Sequence, residues 1–159
     1  MDLVKTLKIH LGLCLDMMEK LIEQAPDSIW NEQKGGFVFW QQILHALTGS
    51  KFWLRTEKSD FDEPFADRKV FPELDGKPEN NLTRDELRSL FDEVKSSFEA
   101  YTADPSPDSL FEPCPLYDRI TRLDVLLGQL RHMQHHIGCC NAILRDNGEK
   151  AVEWVDYFG

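Results

Sequence analysis

Apolar residues recur every three to four positions across residues 2–24, at Leu3, Leu7, Leu11, Cys14, Met18, Leu21 and Ile22. That spacing predicts an amphipathic helix. Ala25-Pro26-Asp27 ends it, because a proline disfavours helical angles in the residue before it. Ile29 and Trp30 then fall in a connection that closes at Gly35-Gly36, a dipeptide with unusual backbone freedom. Residues 37–57 form a second helical segment that is apolar on more than one side. Phe39, Trp40, Ile43, Leu47 and Leu54 make one stripe, and Val38, His45 and Phe52 make another at a seven-residue spacing. Such a helix is mostly buried. His45 is a polar ring within it, about halfway round from Ile43 and Leu47.

Residues 60–81 are rich in Asp, Pro, Phe and Gly and show no periodicity. A connection of this length inside a compact domain tends to carry function or to move, and Phe61, Phe65 and Phe71 suggest that it packs back on the helices as a partial lid. A third helix opens at a capping box, Thr83-x-x-Glu86, and carries Leu87, Leu90, Phe91, Val94, Phe98 and Tyr101 at helical spacing. Asp104-Pro105-Ser106-Pro107 stops it, and Pro113-Cys114-Pro115 keeps the next connection extended. Residues 119–145 make the fourth helix, with Leu123, Leu126, Leu130, Met133, Ile137, Cys140 and Leu144 as its stripe and Asn147-Gly148 as its stop. Four long helices and no convincing strand predict an all-α four-helix bundle with a long connection between the second and third helices. The tail over residues 149–159 carries Trp154, Val155, Tyr157 and Phe158, which can dock on the bundle or on a second subunit.

Composition narrows the reading without changing the fold. A length of 159 residues suits one domain, residues 1–159, that buries its core without disulfide or metal support. The net charge of -10 argues against binding nucleic acid through phosphate neutralisation and against anionic membrane surfaces. No apolar run approaches the roughly 20 residues of a membrane span, and the N-terminus is amphipathic rather than a signal sequence; the expected location is the cytoplasm. Cys14, Cys114, Cys139 and Cys140 show neither a Cys-x-x-Cys pair nor a regular spacing, so free thiols are expected rather than a zinc knuckle or a disulfide framework.

The chemistry concentrates between Gln129 and Asn141, where three of the chain's five histidines lie. His132 and His136 are four residues apart, so on a helix their rings lie one turn apart on one face, where they can share a metal ion. His136 lies nearer the apolar stripe than His132, and His135 is rotated toward the polar side with Arg131 and Asp146. Two histidines from one helix turn need at least a third ligand to hold zinc or nickel. His10 and His45 are the remaining histidines, and His45, in the middle of a buried segment, is the better placed. The same spacing also suits hydrogen-bonded core histidines, and spacing alone leaves that alternative open.

Three stretches resemble the DinB/YfiT-like family of four-helix bundles: Ile43-Leu44-His45 followed by Phe52-Trp53-Leu54, the Leu-Thr-x-x-Glu-Leu opening at Leu82 to Leu87, and His132-Met-Gln-His-His136-Ile-Gly138 leading to Leu144-Arg145 and Gly148. The resemblance implies a divalent metal, zinc or nickel, held by one histidine of the second helix and two of the fourth, here His45, His132 and His136. It also implies a small-molecule substrate, a homodimer, and activities that include thiol S-transfer with a low-molecular-weight thiol and metal-dependent hydrolysis. The chain departs from the family pattern after Gly138, where Cys139 stands in place of the usual Gln; inert helix packing is the plainer role for that thiol. Gln41 and Gln129 can orient a histidine, although surface positions are the plainer reading for both.

The expected mechanism is that of a metal-dependent enzyme whose ion activates a thiol or water at neutral pH. No nucleophilic triad, phosphate loop or nucleotide fingerprint competes. No acidic residue has a spacing that marks it as general base, and His135 is the one candidate for that role. The rival expectation is a non-catalytic bundle that binds metal structurally or acts through dimer or partner contacts, using Trp30, Trp154, Tyr157 and Phe158.

Overall fold

A computed structural model describes residues 2–34 and 36–155, without the side chain of Lys34. Helix α1 spans Leu3–Gln24, a short α2 spans Asp27–Trp30, strands β1 (Gln33–Lys34) and β2 (Phe37–Val38) form a hairpin, and α3 (Phe39–Trp53), α4 (Arg84–Tyr101) and α5 (Arg122–Asp146) complete the chain. The four long helices make the expected bundle. α3 packs on α5 and α4, and α1 packs on the same two helices. Among the described residues, no helix is long and apolar enough to cross a membrane.

Local chemistry sets the helix ends. Asp2 accepts the Lys5 N–H at 3.0 Å to cap α1. At its other end Arg84 donates to the carbonyls of Ile22 (2.7 Å) and Ala25 while its guanidinium lies 4.2 Å from the Trp30 ring centroid. A cation thus meets the negative end of the helix dipole. The predicted capping box Thr83–Glu86 is formed. A second box, Thr121–Asp124, starts α5 three residues later than the apolar pattern suggested, because Thr121 can accept the N–H of residue 124 only from an extended, non-helical conformation.

The connection between α1 and α3 is more ordered than its sequence signalled. α2 and the hairpin fill it, with Gln33 paired to Val38 and Lys34 to Phe37. Gly36 has φ +95°, which a residue with a Cβ rarely adopts; Gly35 lies outside the described residues. Phe37 and Val38 therefore belong to a strand, and the second long helix is shorter than the predicted 37–57.

The core is continuous through all four helices, with Leu11, Met18, Phe39, Trp40, Ile43, Leu47, Phe91 and Ile137 among its buried members. Trp30 is buried as well, its indole N–H donating to the Leu82 carbonyl at 2.8 Å, so it is not available to a partner. The tail does return to the bundle. Asn141 on α5 donates to Val152 O and accepts from Val152 N, both at 2.9 Å, and Val152 is buried. Trp154 is 69% exposed; Tyr157 and Phe158 lie outside the described residues.

The long connection between α3 and α4 is a strap drawn across α3. Residues 66–68 make one turn of 3-10 helix, and Phe65, Lys69, Phe71 and Leu74 adopt positive φ. Such conformations persist only where surrounding contacts hold them. Gln41 Nε2 holds this strap, approaching the carbonyls of Val70 (3.3 Å), Phe71 (2.9 Å) and Gly76 (2.9 Å). Phe61 packs edge-on to Phe52, with ring centroids 5.2 Å apart.

Candidate metal centre

α3 and α5 face one another, and each contributes histidines to the seam between them. His45 is in the middle of α3; His132 and His136 are one turn apart on α5. The three rings form a nearly equilateral triangle, with centroids 4.9 Å (His45–His132), 4.6 Å (His45–His136) and 4.8 Å (His132–His136) apart. One nitrogen from each lies within 4.8 Å of the others. Among the described residues this is the group of His, Cys, Asp or Glu that could hold a metal ion. His10 and Cys139 are not part of it.

The rings are oriented by hydrogen bonds that leave nitrogens for a ligand. His45 Nδ1 lies 2.7 Å from the Pro72 carbonyl. A carbonyl can only accept, so Nδ1 carries the proton and Nε2 keeps its lone pair. His136 Nδ1 lies 2.7 Å from Gln42 Oε1, and the same reasoning frees its Nε2. Second contacts of this kind fix the tautomer of metal-binding histidines. Gly49, one turn beyond His45, admits the third ring: a Cβ there would sit 2.8 Å from His132 Cε1.

Electrostatics point the same way. Burial, and then the neighbouring His45 and His135 rings, push the His132 pKa down to about 4. Burial, followed by His132, His45 and His135, pushes His136 down to about 3. Both imidazoles are therefore neutral at pH 7, the form that ligates a metal. Tetrahedral zinc with nitrogen bonds of about 2.1 Å spaces its ligand atoms by roughly 3.4 Å, so the three rings reach it by small side-chain rotations. The donor set fits a divalent ion of the zinc or nickel type.

The triangle opens on a cavity of about 440 Å³. His45 and His132 form part of its lining, with Thr48 and Gln129 beside them, an aromatic wall of Phe52, Trp53 and Phe61, and the carboxylates of Glu63 and Glu73. His135 is exposed and faces elsewhere. With His136, Gln42, Cys139 and Asp146 it lines a second cavity of about 400 Å³ that shares no residue with the first, and Cys139 Sγ lies 3.8 Å from its Nε2. Cys140 is fully buried, and burial holds its thiol above the usual range. The four cysteines are free.

Gln41 and Gln129 are not surface residues, at 1% and 6% exposure. Gln41 acts on the site through the strap, whose Pro72 carbonyl receives His45. Gln129 Oε1 accepts from Ser50 Oγ at 3.2 Å. The amide that orients a histidine directly is the next residue, Gln42. Sequence reasoning also missed Gly49, Glu63 and Glu73. An isolated glycine inside a helical pattern is a signal of close packing, whereas the two glutamates lie in an aperiodic stretch that offers no such signal.

A four-helix bundle with three histidines contributed by two facing helices defines a class of proteins able to bind a metal ion. A family model for the DinB superfamily matches residues 10–140, which includes all three histidines, and the chain belongs to that superfamily. No curated protein and no solved structure gives a match.

Proposed function

We propose that this protein is a metal-dependent enzyme, a thiol-dependent S-transferase or a hydrolase, in which His45, His132 and His136 hold a divalent zinc or nickel ion. The observation that carries the reading is the three-histidine group at the edge of a 440 Å³ cavity. Structural zinc sites are closed by four protein ligands, while catalytic ones keep a position for water or substrate; three histidines beside a cavity suit the second kind. A divalent ion, when bound, lowers the pKa of a thiol or water so that a nucleophile is available at neutral pH.

The remaining roles fall to the chain itself. Pro72 O and Gln42 Oε1 keep His45 and His136 in the tautomer that presents Nε2. Phe52, Trp53 and Phe61 exclude water from one wall of the cavity and give an apolar body something to lie on. A proton released in the chamber can pass to Glu63 or Glu73, which line it with His45 and His132, or to His135, whose ring lies 4.9 Å from that of His136. A homodimer is the working assembly in this proposal.

Metal analysis of the protein purified without a histidine tag tests the reading. About one equivalent of zinc or nickel per chain is expected, falling sharply in His136→Ala; less than roughly a tenth of an equivalent, unchanged in that variant, overturns it. A panel of thiols and electrophiles then separates transferase from hydrolase, and inactivity with all of them favours a non-catalytic metal-binding bundle.

A further inference from the structure

The cavity beside His45 and His132 has a polarity of its own. Its lining includes two carboxylates, Glu63 and Glu73, and no lysine or arginine. Neither carboxylate takes part in a salt bridge or side-chain hydrogen bond among the described residues, although other acidic side chains such as Glu19, Glu23, Glu79, Glu86 and Glu93 are paired. Arg55 lies over the Phe52 and Phe61 rings at 4.5 and 5.2 Å and donates to the Phe52 and Ser59 carbonyls, but it is not among the residues that line the cavity. Glu73 follows Pro72, whose carbonyl receives His45 Nδ1. The backbone of Glu73, an exposed residue, is thereby joined directly to the one that holds His45.

Two neutral groups in the same lining also await partners. Thr48 is 2% exposed and its Oγ1 has no hydrogen bond. A helical threonine commonly bonds the carbonyl four residues back, as Ser50 does with Ala46 at 2.8 Å, and Thr48 does not. Gln129, 6% exposed, turns its Oε1 to Ser50, and its Nε2 makes no hydrogen bond among the described residues. The Thr48 hydroxyl, buried without a partner, costs free energy, and a ligand with a matching group removes that cost.

Resting on the metal-centre reading above, we propose that the cavity selects a small organic cation: a molecule with a metal-seeking head toward His45 and His132, an apolar body on Phe52, Trp53 and Phe61, and a protonated amine toward Glu63 and Glu73. Thr48 and Gln129 bind a hydrogen-bonding group partway along that body. The carboxylates then act as specificity determinants by charge, since an ammonium within a few ångströms gains attraction where an anion meets repulsion. The chain's net charge of -10 adds to the same preference at longer range.

The test uses the full chain loaded with cobalt(II), in which a thiolate ligand gives a charge-transfer band in the near ultraviolet. Three benzyl thiols that differ only in the para substituent, aminomethyl, methyl or carboxylate, are titrated at low salt. The aminomethyl thiol is expected to bind roughly tenfold or more tightly than the methyl one, and the carboxylate more weakly than either. The double variant Glu63→Gln, Glu73→Gln is expected to bring the first two within about twofold of each other, with the cobalt d–d spectrum unchanged as the sign of an intact centre. Equal affinities in the unaltered protein, or a preference that survives the double variant, overturn the proposal while leaving the metal centre standing. Failure to take up cobalt, or no charge-transfer band with any thiol, overturns the metal-and-thiol reading and this proposal with it.

Discussion

Replacing Gly49 by alanine separates the metal centre from the fold more cleanly than replacing a histidine. A Cβ at position 49 would lie 2.8 Å from His132 Cε1, 3.4 Å from Nδ1 and 3.8 Å from Nε2. Carbon atoms in favourable contact sit about 3.5–4.0 Å apart, so the ring must withdraw by roughly 0.7 Å or more. The Cβ is fixed by the backbone of α3, which leaves His132 as the group that moves. Metal–ligand distances tolerate only about 0.2 Å, and one of the three nitrogens is lost or badly placed. A fall in zinc affinity of roughly 100-fold, about 2.7 kcal/mol, is expected in competition with a chromophoric chelator. The metal-free protein should respond in the opposite sense, since alanine is favoured over glycine in a helix interior by about 1 kcal/mol. Its Tm should stay level or rise. Zinc affinity within about threefold of the unaltered protein would refute the geometric argument, and a marked drop in metal-free Tm would show that the space at Gly49 serves packing instead.

Two further outcomes follow from contacts described above. The pKa values of His132 and His136, about 4 and 3 when folded, lie below the unfolded value near 6.5. Above about pH 6.5 both states are neutral, and as the pH falls only the unfolded chain takes up these protons. The metal-free protein should therefore lose stability from about pH 6.5 downward, the loss levelling off below the folded values; chemical denaturation at pH 7 and pH 5 measures it, and His136→Asn should flatten the dependence. Asn141→Ala leaves the buried N–H and carbonyl of Val152 unpaired, for an expected cost of about 2 kcal/mol and faster proteolysis beyond residue 148; unchanged cleavage kinetics would count against the tail's anchoring.

The triangle was legible in the sequence because helical periodicity carries direction. The four-residue spacing of His132 and His136 and the position of each against the Met133–Leu144 stripe are enough to turn both inward and His135 outward, as found. His45 was legible through the burial of its helix. What periodicity could not supply were contacts that depend on three dimensions. α3 is apolar on more than one side, so no wheel distinguishes Gln41, which grips the strap, from Gln42, which meets His136. The ligand partner from the strap is a backbone carbonyl, Pro72 O, a group every residue possesses. Glu63 and Glu73 arrive by way of irregular turns with positive φ at Phe65, Phe71 and Leu74, residue types that give no warning of that conformation.

The arrangement along α3 also bears on how such a protein can tolerate changes in length. Gln41, Gln42, His45, Thr48 and Gly49 fall within one helix of 15 residues and between them face the strap, α5 and the cavity. Deleting one residue among them rotates everything beyond it by about 100° and would dismantle the strap, the triangle and the cavity wall together. The strap obeys another rule. Gln41 and His45 grip it only between Val70 and Gly76, and lengthening a flexible connection adds only a slowly growing entropic cost. Insertions between residues 55 and 60 should thus leave the grip of Gln41 and His45 intact, at the expense of the Arg55 contacts to Ser59 and Phe61, while the ruler of α3 admits substitution alone.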